Sequence, residues 1–272
     1  MGGYSSDPWP LKKSGGGRIV SFEASSSLVD KVCPAVNFGE RKGDGVPDIL
    51  LLHYTGMEDG AGALKWLCCE ESGVSCHYLV EEDGQIFQMV EEEKRAHHAG
   101  EGSWQGHGDT NSRSIGIEIV NGGHPAGLPD FPKIQMDAVA RLSKDIISRH
   151  SIAAHLVLAH SDIAPGRKND PGENFNWQWL ASQGIGHWVE PDEIQTGTYF
   201  QLGESGEPIG ALQSMLVLYG YGLDVSGEYC ERTKCVVEAF QRHFRQEKVD
   251  GVADRSTIST LYRLLQSLPN ST

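Results

Sequence analysis

PDILLLHYT, residues 47–55, places four consecutive apolar residues directly before a histidine. A short apolar run that is bounded by a proline and a glycine is typical of a buried β-strand. The run therefore predicts a strand that ends near His53. A second apolar run predicts another short strand that ends at His160, in LVLAH at residues 156–160.

Asp170 follows His160 by ten positions, in a loop that contains Pro165 and Pro171. Two imidazoles and one carboxylate are the ligand count of a catalytic zinc site, which leaves a fourth position open for water. Strands hold the two imidazoles and a loop stiffened by prolines presents the carboxylate, an arrangement suited to a tetrahedral site. We therefore predict that His53, His160 and Asp170 bind Zn²⁺.

Glu118 lies inside an apolar strand pattern, SIGIEIVN at residues 114–121. Because side chains alternate along a strand, Ile115, Ile117 and Ile119 share one face and Glu118 lies on the other. Burying a polar group without partners costs roughly 2 to 7 kcal/mol, so a carboxylate here needs a compensating role. A catalytic proton carrier and a structural salt bridge are the two alternatives.

The remaining patterns of the first 190 residues predict a mixed α/β domain. Strands are expected near residues 47–54, 76–90 and 115–121, and helices near residues 61–70 and 132–150. Asp83-Gly84 is a hairpin-turn signal inside the second of these strand regions. The predicted fold class is therefore a mixed central β-sheet flanked by helices.

The character of the sequence changes after residue 190, where a polar, Gly-rich stretch precedes three helical patterns. The three helices are predicted at about 206–219, 232–245 and 254–267. They indicate a small C-terminal three-helix domain. The predicted organisation is a flexible lead at 1–17, a catalytic domain at 18–190, a linker at 191–205 and a helical domain at 206–272.

Five motifs occur in an order known from one enzyme family: LLLHYT, VSCHYLVEEDGQIFQMV, KRAHHAG, SIGIEIVN and AHSDIAPGRKNDPG. With these motifs the region from about residue 47 to 179 resembles the zinc N-acetylmuramoyl-L-alanine amidases, the AmpD and AmiD group, which shares its fold with peptidoglycan recognition proteins. The resemblance implies zinc ligands at the two histidines and the aspartate named above. It also implies an acid/base residue at Glu118 and a cation at Lys168 that stabilises the oxyanion.

The resemblance further implies the reaction, which is hydrolysis of the amide between N-acetylmuramic acid, or its anhydro form, and the L-alanine of the stem peptide. Three residues are expected to contact this substrate. His98 matches the substrate-facing histidine of the family, while His97 replaces its usual tryptophan. Arg95 is a candidate for binding the peptide carboxylates, and Trp104 lies in a Gly-rich loop expected to form the rim of the groove. His77 is expected to be structural, because an imidazole readily hydrogen-bonds backbone groups.

The C-terminal region carries a second resemblance. AFQR at residues 239–242, followed by VDGVAD at residues 249–254, resembles the peptidoglycan-binding domain that is often attached to wall hydrolases. Peptidoglycan or a muropeptide is therefore the expected partner. A domain this small lies near the size limit for independent stability, so docking against the catalytic domain is equally plausible.

Charge and composition exclude several other classes of protein. The chain has 272 residues, with 23 Lys and Arg against 37 Asp and Glu. This balance argues against nucleic-acid binding, which depends on neutralising phosphates. No stretch reaches membrane-spanning length. The amino terminus has no apolar signal core and the six cysteines have no disulfide-like spacing, so we predict a cytoplasmic protein. The alternative is a periplasmic protein or an outer-membrane lipoprotein from which a signal was removed.

Two other functions stay open from the sequence. One is a non-catalytic peptidoglycan-recognition protein of the same fold, which the complete set of ligand and catalytic candidates disfavours. The other is a zinc amidase with a different substrate, which the wall-binding resemblance disfavours. The sequence carries no signal for an oligomeric state.

Overall fold

The structure is a computed structural model that describes residues 21–195, 197 and 199–269. The predicted flexible lead at 1–17 lies outside the described residues. The strands, in chain order, are β1 (Lys31–Val32), β2 (Phe38–Glu40), β3 (Ile49–Tyr54), β4 (Tyr78–Val80), β5 (Ile86–Gln88), β6 (Lys94–Ala96), β7 (Ser114–Ile119) and β8 (Val157–Ala159). The α-helices are α1 (Gly60–Cys68), α2 (Thr110–Arg113), α3 (Lys133–His150), α4 (His160–Ile163), α5 (Trp177–Ser182), α6 (Glu207–Tyr219), α7 (Glu231–Phe244) and α8 (Arg255–Ser267).

A mixed six-stranded sheet forms the centre of the catalytic region, in the order β1-β5-β4-β7-β3-β8. Strands β4, β7, β3 and β8 are parallel, whereas β4 and β5 form an antiparallel hairpin. The hairpin turns at Gly84, whose φ of +87° favours glycine. The predicted fold class is confirmed. Because β3, β7 and β8 are parallel neighbours, their carboxyl ends meet at one edge of the sheet.

The apolar run of β3 is buried because both faces of the strand are covered. Leu50 and Leu52 pack in one cluster with Val139 and Leu142 of α3. On the opposite face, Leu51 lies in a second cluster built mainly from the C-terminal helices. A strand covered on both faces reads as a continuous apolar run, which is the pattern that the sequence displays.

Helices α6, α7 and α8 form the predicted C-terminal three-helix domain, within a few residues of the expected bounds. We call residues 206–269 the C-terminal module. Its core residues, among them Leu216 and Phe240, share one apolar cluster with Leu51, Trp104 and Leu158 of the catalytic region. The module is therefore docked against the sheet. The boundary at residue 190 and the linker at 191–205 stay predictions.

None of the helices within the described residues has the length and apolar character needed to cross a lipid bilayer.

Candidate metal centre and active-site cleft

Three predicted ligands converge at the carboxyl edge of the sheet. His53 is the penultimate residue of β3, His160 begins α4 directly after β8, and Asp170 lies in the following loop. His53 Nδ1 lies 2.9 Å from His160 Nδ1, and Asp170 Oδ2 lies 3.0 Å from the first nitrogen and 2.9 Å from the second. All three side chains are buried. Three potential ligand atoms thus face a common point.

The second nitrogen of each imidazole has a partner that points Nδ1 toward this point. His160 Nε2 donates a hydrogen bond to the backbone oxygen of Ala99 at 2.9 Å, which leaves Nδ1 as the lone-pair nitrogen. His53 Nε2 lies 2.9 Å from His98 Nδ1. Such outer contacts fix the orientation and tautomer of metal-binding histidines. Two lone-pair nitrogens and a carboxylate oxygen this close together repel one another, so the donor set fits a bound cation.

The electrostatics of the centre favour a neutral imidazole at His53 and an ionised carboxylate at Asp170. Burial, followed by the charge of His160, lowers the pKa of His53 to about 4. Burial alone would raise the pKa of Asp170, but the interactions with His160 and His53 hold that pKa well below its usual value. Neutral imidazole and carboxylate are the protonation states that bind a metal ion.

Glu118 lies beside the ligands, because β7 pairs in parallel with β3 and Glu118 is the register partner of His53. Its Oε2 atom is buried and has no hydrogen-bond partner among the described residues. Burial, and then the charge of Asp170, raises the pKa of Glu118 well above its usual value, while Lys168 opposes this shift. Glu118 forms no ion pair within the described part of the chain, so the structural salt bridge loses its support.

A cleft with a volume of about 400 Å³ opens over the ligand cluster. It brings together five of the predicted site residues, namely His98, Glu118, His160, Lys168 and Asp170. The remaining wall is formed in part by side chains from β3, α1, the turn between them and the segments around residues 74 and 97: Tyr54, Met57, Trp66, Leu67, Val74 and His97. The cleft thus combines a polar, titratable floor with an aromatic and aliphatic side wall, as substrate sites commonly do.

Trp104 does not form the rim of this cleft, so that prediction is wrong. Its side chain has no exposed surface and packs in the contact between the catalytic region and the C-terminal module. The indole meets the ring of Tyr221 edge-on at a centroid distance of 5.0 Å. A Cβ atom at Gly220 would approach the indole to 2.4 Å, so glycine there admits the ring. Trp104 is a packing residue.

Arg95 is also located away from the cleft and does not line it. Its guanidinium donates to Asp109 Oδ1 through Nε at 3.0 Å and Nη2 at 2.5 Å. An arginine engaged in this way has its charge satisfied inside the protein. The structure therefore gives Arg95 a structural partner in place of the predicted substrate carboxylate. Arg113, the last residue of α2, is similarly paired with Asp48.

His77 is structural, as predicted. Its Nδ1 accepts a hydrogen bond from the backbone N–H of Gly116 at 3.0 Å, and its Nε2 lies 3.0 Å from the backbone oxygen of Lys94. Sequence reasoning missed Asn111, whose Oδ1 accepts from the backbone N–H groups of His98 and Ala99 at 2.9 and 2.8 Å. Asn111 thereby fixes the segment that orients both metal-site histidines. It lies in the short helix α2, directly after a Gly-rich loop, and no local pattern marks it.

The comparisons with known proteins agree with this geometry. Residues 43–173 match the family described as N-acetylmuramoyl-L-alanine amidase, and residues 205–261 match a proposed peptidoglycan binding domain. The N-acetylmuramoyl-L-alanine amidase AmiD of Escherichia coli is 38% identical over 80% of this chain and 82% of its own length. The 1,6-anhydro-N-acetylmuramyl-L-alanine amidase AmpD of Escherichia coli is 32% identical over 53% of this chain and 86% of its own length.

A solved structure of Escherichia coli AmiD in complex with anhydro-N-acetylmuramic acid-L-Ala-D-gamma-Glu-L-Lys has a TM-score of 0.71 to this structure. It is 33% identical in sequence and covers 85% of this chain and 98% of its own. At 80 and 85% of the chain, the two AmiD matches extend beyond the catalytic region into the C-terminal module. The chain therefore belongs to the N-acetylmuramoyl-L-alanine amidase family, with the peptidoglycan-binding-type module docked onto its catalytic region.

Proposed function

We propose that this protein is a zinc-dependent amidase that hydrolyses the bond between N-acetylmuramic acid, including its anhydro form, and the L-alanine of a stem peptide. The observation that carries the proposal is the convergence of His53 Nδ1, His160 Nδ1 and Asp170 Oδ2 within 3.0 Å of one another beneath an open cleft. Three protein ligands with one open side are the arrangement of a catalytic zinc site.

Zn²⁺ bound there would act as a Lewis acid and make water nucleophilic near neutral pH. Glu118 is the proton carrier in this proposal. Its carboxylate faces the cleft from the strand next to His53, and its buried Oε2 has no partner among the described residues. A carboxylate with a raised pKa can take a proton from water and give it to the leaving amine nitrogen near neutral pH.

Lys168 supplies the positive charge for the oxyanion. It lines the same cleft as Glu118 and Asp170, two residues before the aspartate in the chain. No hydrogen bond or ion pair engages its ammonium group within the described residues, so the group is available to a substrate oxygen. An interaction aimed at the charge that develops in the transition state is worth roughly 3 to 4 kcal/mol.

The walls of the cleft suit a sugar-peptide substrate. Trp66 is about half exposed on α1 and gives an aromatic surface for a sugar ring or an apolar peptide side chain. His97 and His98 lie on the same wall and offer polar contacts. The complex of AmiD with an anhydro-muramyl peptide supports the anhydro form as an accepted substrate of this chain.

The test is zinc analysis of the purified protein together with mass spectrometry of the products from an anhydro-muropeptide. We expect about one zinc ion per chain, and release of free stem peptide that stops on chelation and returns with zinc. His53→Ala and His160→Ala should lose zinc and turnover together, whereas the control His155→Ala, outside the cleft, should keep both. Wild-type zinc content in either ligand variant would contradict the assignment, and bound muropeptide without any turnover would make the protein a recognition protein.

We also propose that the protein is cytoplasmic. Cys68, Cys76 and Cys235 are thiols in the structure, as expected in a reducing compartment. Cell fractionation with an antibody to the native protein tests this. Recovery in the periplasmic or outer-membrane fraction would reject it in favour of an exported hydrolase.

A further inference from the structure

The segment from residue 160 to 175 supplies two of the three proposed zinc ligands, and it lies against α7 of the C-terminal module. The two regions share a buried apolar cluster that includes Ile163 and Ala164 on one side and Phe240 on the other. We call residues 160–175 the ligand segment. Its contacts with α7 are polar as well as apolar, and they occur next to each ligand.

The first polar contact lies two residues after His160. Asp162 is fully buried, and its Oδ2 accepts hydrogen bonds from the Ala159 backbone N–H at 2.8 Å and from His243 Nδ1 at 2.6 Å. Its Oδ1 accepts from the Tyr221 hydroxyl at 2.7 Å. Two of the three partners of this buried carboxylate therefore belong to the C-terminal module. Because the third is the residue before His160, Asp162 joins the module to the start of α4.

The second polar contact lies three residues after Asp170. Glu173 Oε1 accepts a hydrogen bond from Arg242 Nε of α7 at 2.8 Å. Gln246, just beyond α7, donates through Nε2 to the backbone oxygens of Glu173 at 2.6 Å and Phe175 at 2.8 Å. The end of the ligand segment is therefore held through both a side chain and the backbone.

The middle of the ligand segment is also held from the module. Arg232 donates to the backbone oxygen of Pro165 at 2.9 Å. A Cβ atom at Gly166 would lie 2.8 Å from Cys235 Sγ, so the backbone here approaches α7 closely. Within the segment, the backbone N–H of Ser161 donates to the backbone oxygen of Asp170 at 3.0 Å and links the two ligand regions directly. A shift of the segment at Asp162 or at Glu173 would therefore move both His160 and Asp170.

We infer that the C-terminal module is a positioning element of the metal centre: α7 clamps the ligand segment at Asp162 and Glu173 and so sets His160 and Asp170 for zinc. The inference rests on the zinc site proposed above. It assigns to the module a role in the catalytic centre that is separate from any binding of the cell wall. Arg242, His243 and Gln246 act through the ligand segment and are positioning residues.

We call these contacts of α7 and Gln246 with the ligand segment the clamp. It is tested by the affinity of the full chain for Zn²⁺, measured by competition with a chromophoric chelator. Substitution of groups that orient metal ligands typically weakens metal binding 10- to 100-fold. Because these residues act through an intervening segment, we expect Arg242→Gln and Gln246→Ala to weaken zinc binding by about 10-fold. Arg242→Lys, which keeps the charge, should recover part of the loss. His243→Ala should weaken zinc binding more than either Arg242→Gln or Gln246→Ala.

The matched control is Arg263→Ala. Arg263 is also an arginine of the module that contacts residues preceding it, namely Asp192 at 3.2 Å and the backbone oxygen of Glu190, but it does not touch the ligand segment. Its zinc affinity should equal that of the wild type. Zinc affinity is measured at a temperature below the unfolding midpoint of every variant. If the buried His243→Ala variant does not fold, the half-buried Arg242 and Gln246 variants decide the question.

Zinc affinities within two-fold of wild type for Arg242→Gln and Gln246→Ala would overturn the clamp. An equal loss in Arg263→Ala would overturn it too, because it would indicate general loosening of the domain contact. The outcome is independent of turnover. A wild-type protein that binds zinc but releases no stem peptide would reject the proposed function, while the affinity series would still report on the clamp.

Discussion

Because His77 is fully buried, we predict that the protein loses stability in mild acid. Burial, and then the nearby positive charge of Arg41, lowers the pKa of this imidazole to about 3 from a reference value of 6.5. In the native state, Nδ1 accepts from the Gly116 backbone N–H. Protonating Nδ1 would break this hydrogen bond and leave a charge without water. The native protein therefore keeps His77 neutral where the unfolded chain protonates it.

The sign and size of the effect follow from proton linkage. Between the native pKa of about 3 and the unfolded value of 6.5, the unfolded state binds more protons, so lower pH favours unfolding. The contribution of His77 is fully present above the unfolded pKa and is lost as the pH falls toward the native pKa. Each pH unit in this window changes the free energy of unfolding by about 1.4 kcal/mol. Lowering the pH from 7 to 5 should therefore remove about 2 kcal/mol through this residue alone.

The assay is urea denaturation at both pH values, on the wild type and on His77→Gln, whose amide can accept and donate without titrating. Other buried histidines also titrate, but their contribution is common to both proteins. We expect the wild type to lose about 2 kcal/mol more than the variant between pH 7 and pH 5. Equal losses in the two proteins would refute the reasoning and would indicate that His77 is protonated in the native state.

The remaining predictions concern the cleft and the domain contact. Glu118→Gln should keep zinc but lower kcat by roughly 10²- to 10⁴-fold, because its amide cannot carry the proton; near-normal turnover would remove Glu118 from the mechanism. Trp104→Ala should cost about 3 to 5 kcal/mol in the free energy of unfolding without a specific change in KM, in contrast to a rim residue. Arg95→Ala should leave KM for a muropeptide unchanged and cost about 1 kcal/mol in the free energy of unfolding, as for a partly exposed ion pair; a several-fold rise in KM would indicate that Arg95 contacts the substrate after all. Deletion of the chain after residue 195 should reduce solubility, zinc retention and turnover of small muropeptides together, and full activity of the shortened protein would contradict the dependence of the metal centre on the module.

Local sequence patterns were sufficient to single out the residues that we propose for catalysis, and the structure brings them together. His53, Glu118 and His160 each lie in or at the end of a short apolar run, and runs of this kind define strands through side-chain alternation and burial alone. The sheet then brings the three together because their strands are parallel neighbours. The three C-terminal helices were predicted for a similar reason, since their apolar spacing is a local property.

The failures concern contacts between residues that are distant in sequence. Trp104 lies in a Gly-rich loop, a setting typical of exposed rim residues, but it is buried by Tyr219 and Tyr221 from the C-terminal module. Arg95 is basic and lies in β6, three residues before His98, but it forms an ion pair with Asp109. Neither partner could be assigned from spacing, because each depends on how loops and domains pack.

Long-range packing also determines the role of the C-terminal module. AmpD relatives match little beyond the catalytic half of this chain while filling most of their own length, so an amidase region of this family can exist without such a module. In this chain, however, Leu51 of β3 and the indole of Trp104 are buried against the module, and the buried Asp162 receives two of its three hydrogen bonds from it. Removing the module would expose apolar surface and take away two of the three hydrogen bonds of Asp162, two residues after His160, so that water would have to replace them. The catalytic region therefore depends on the module through these particular side chains. Replacing Asp162 with Asn in the full chain tests this: zinc retention should fall as it does in Arg242→Gln, whereas an unchanged zinc affinity would mean that the module only covers the sheet.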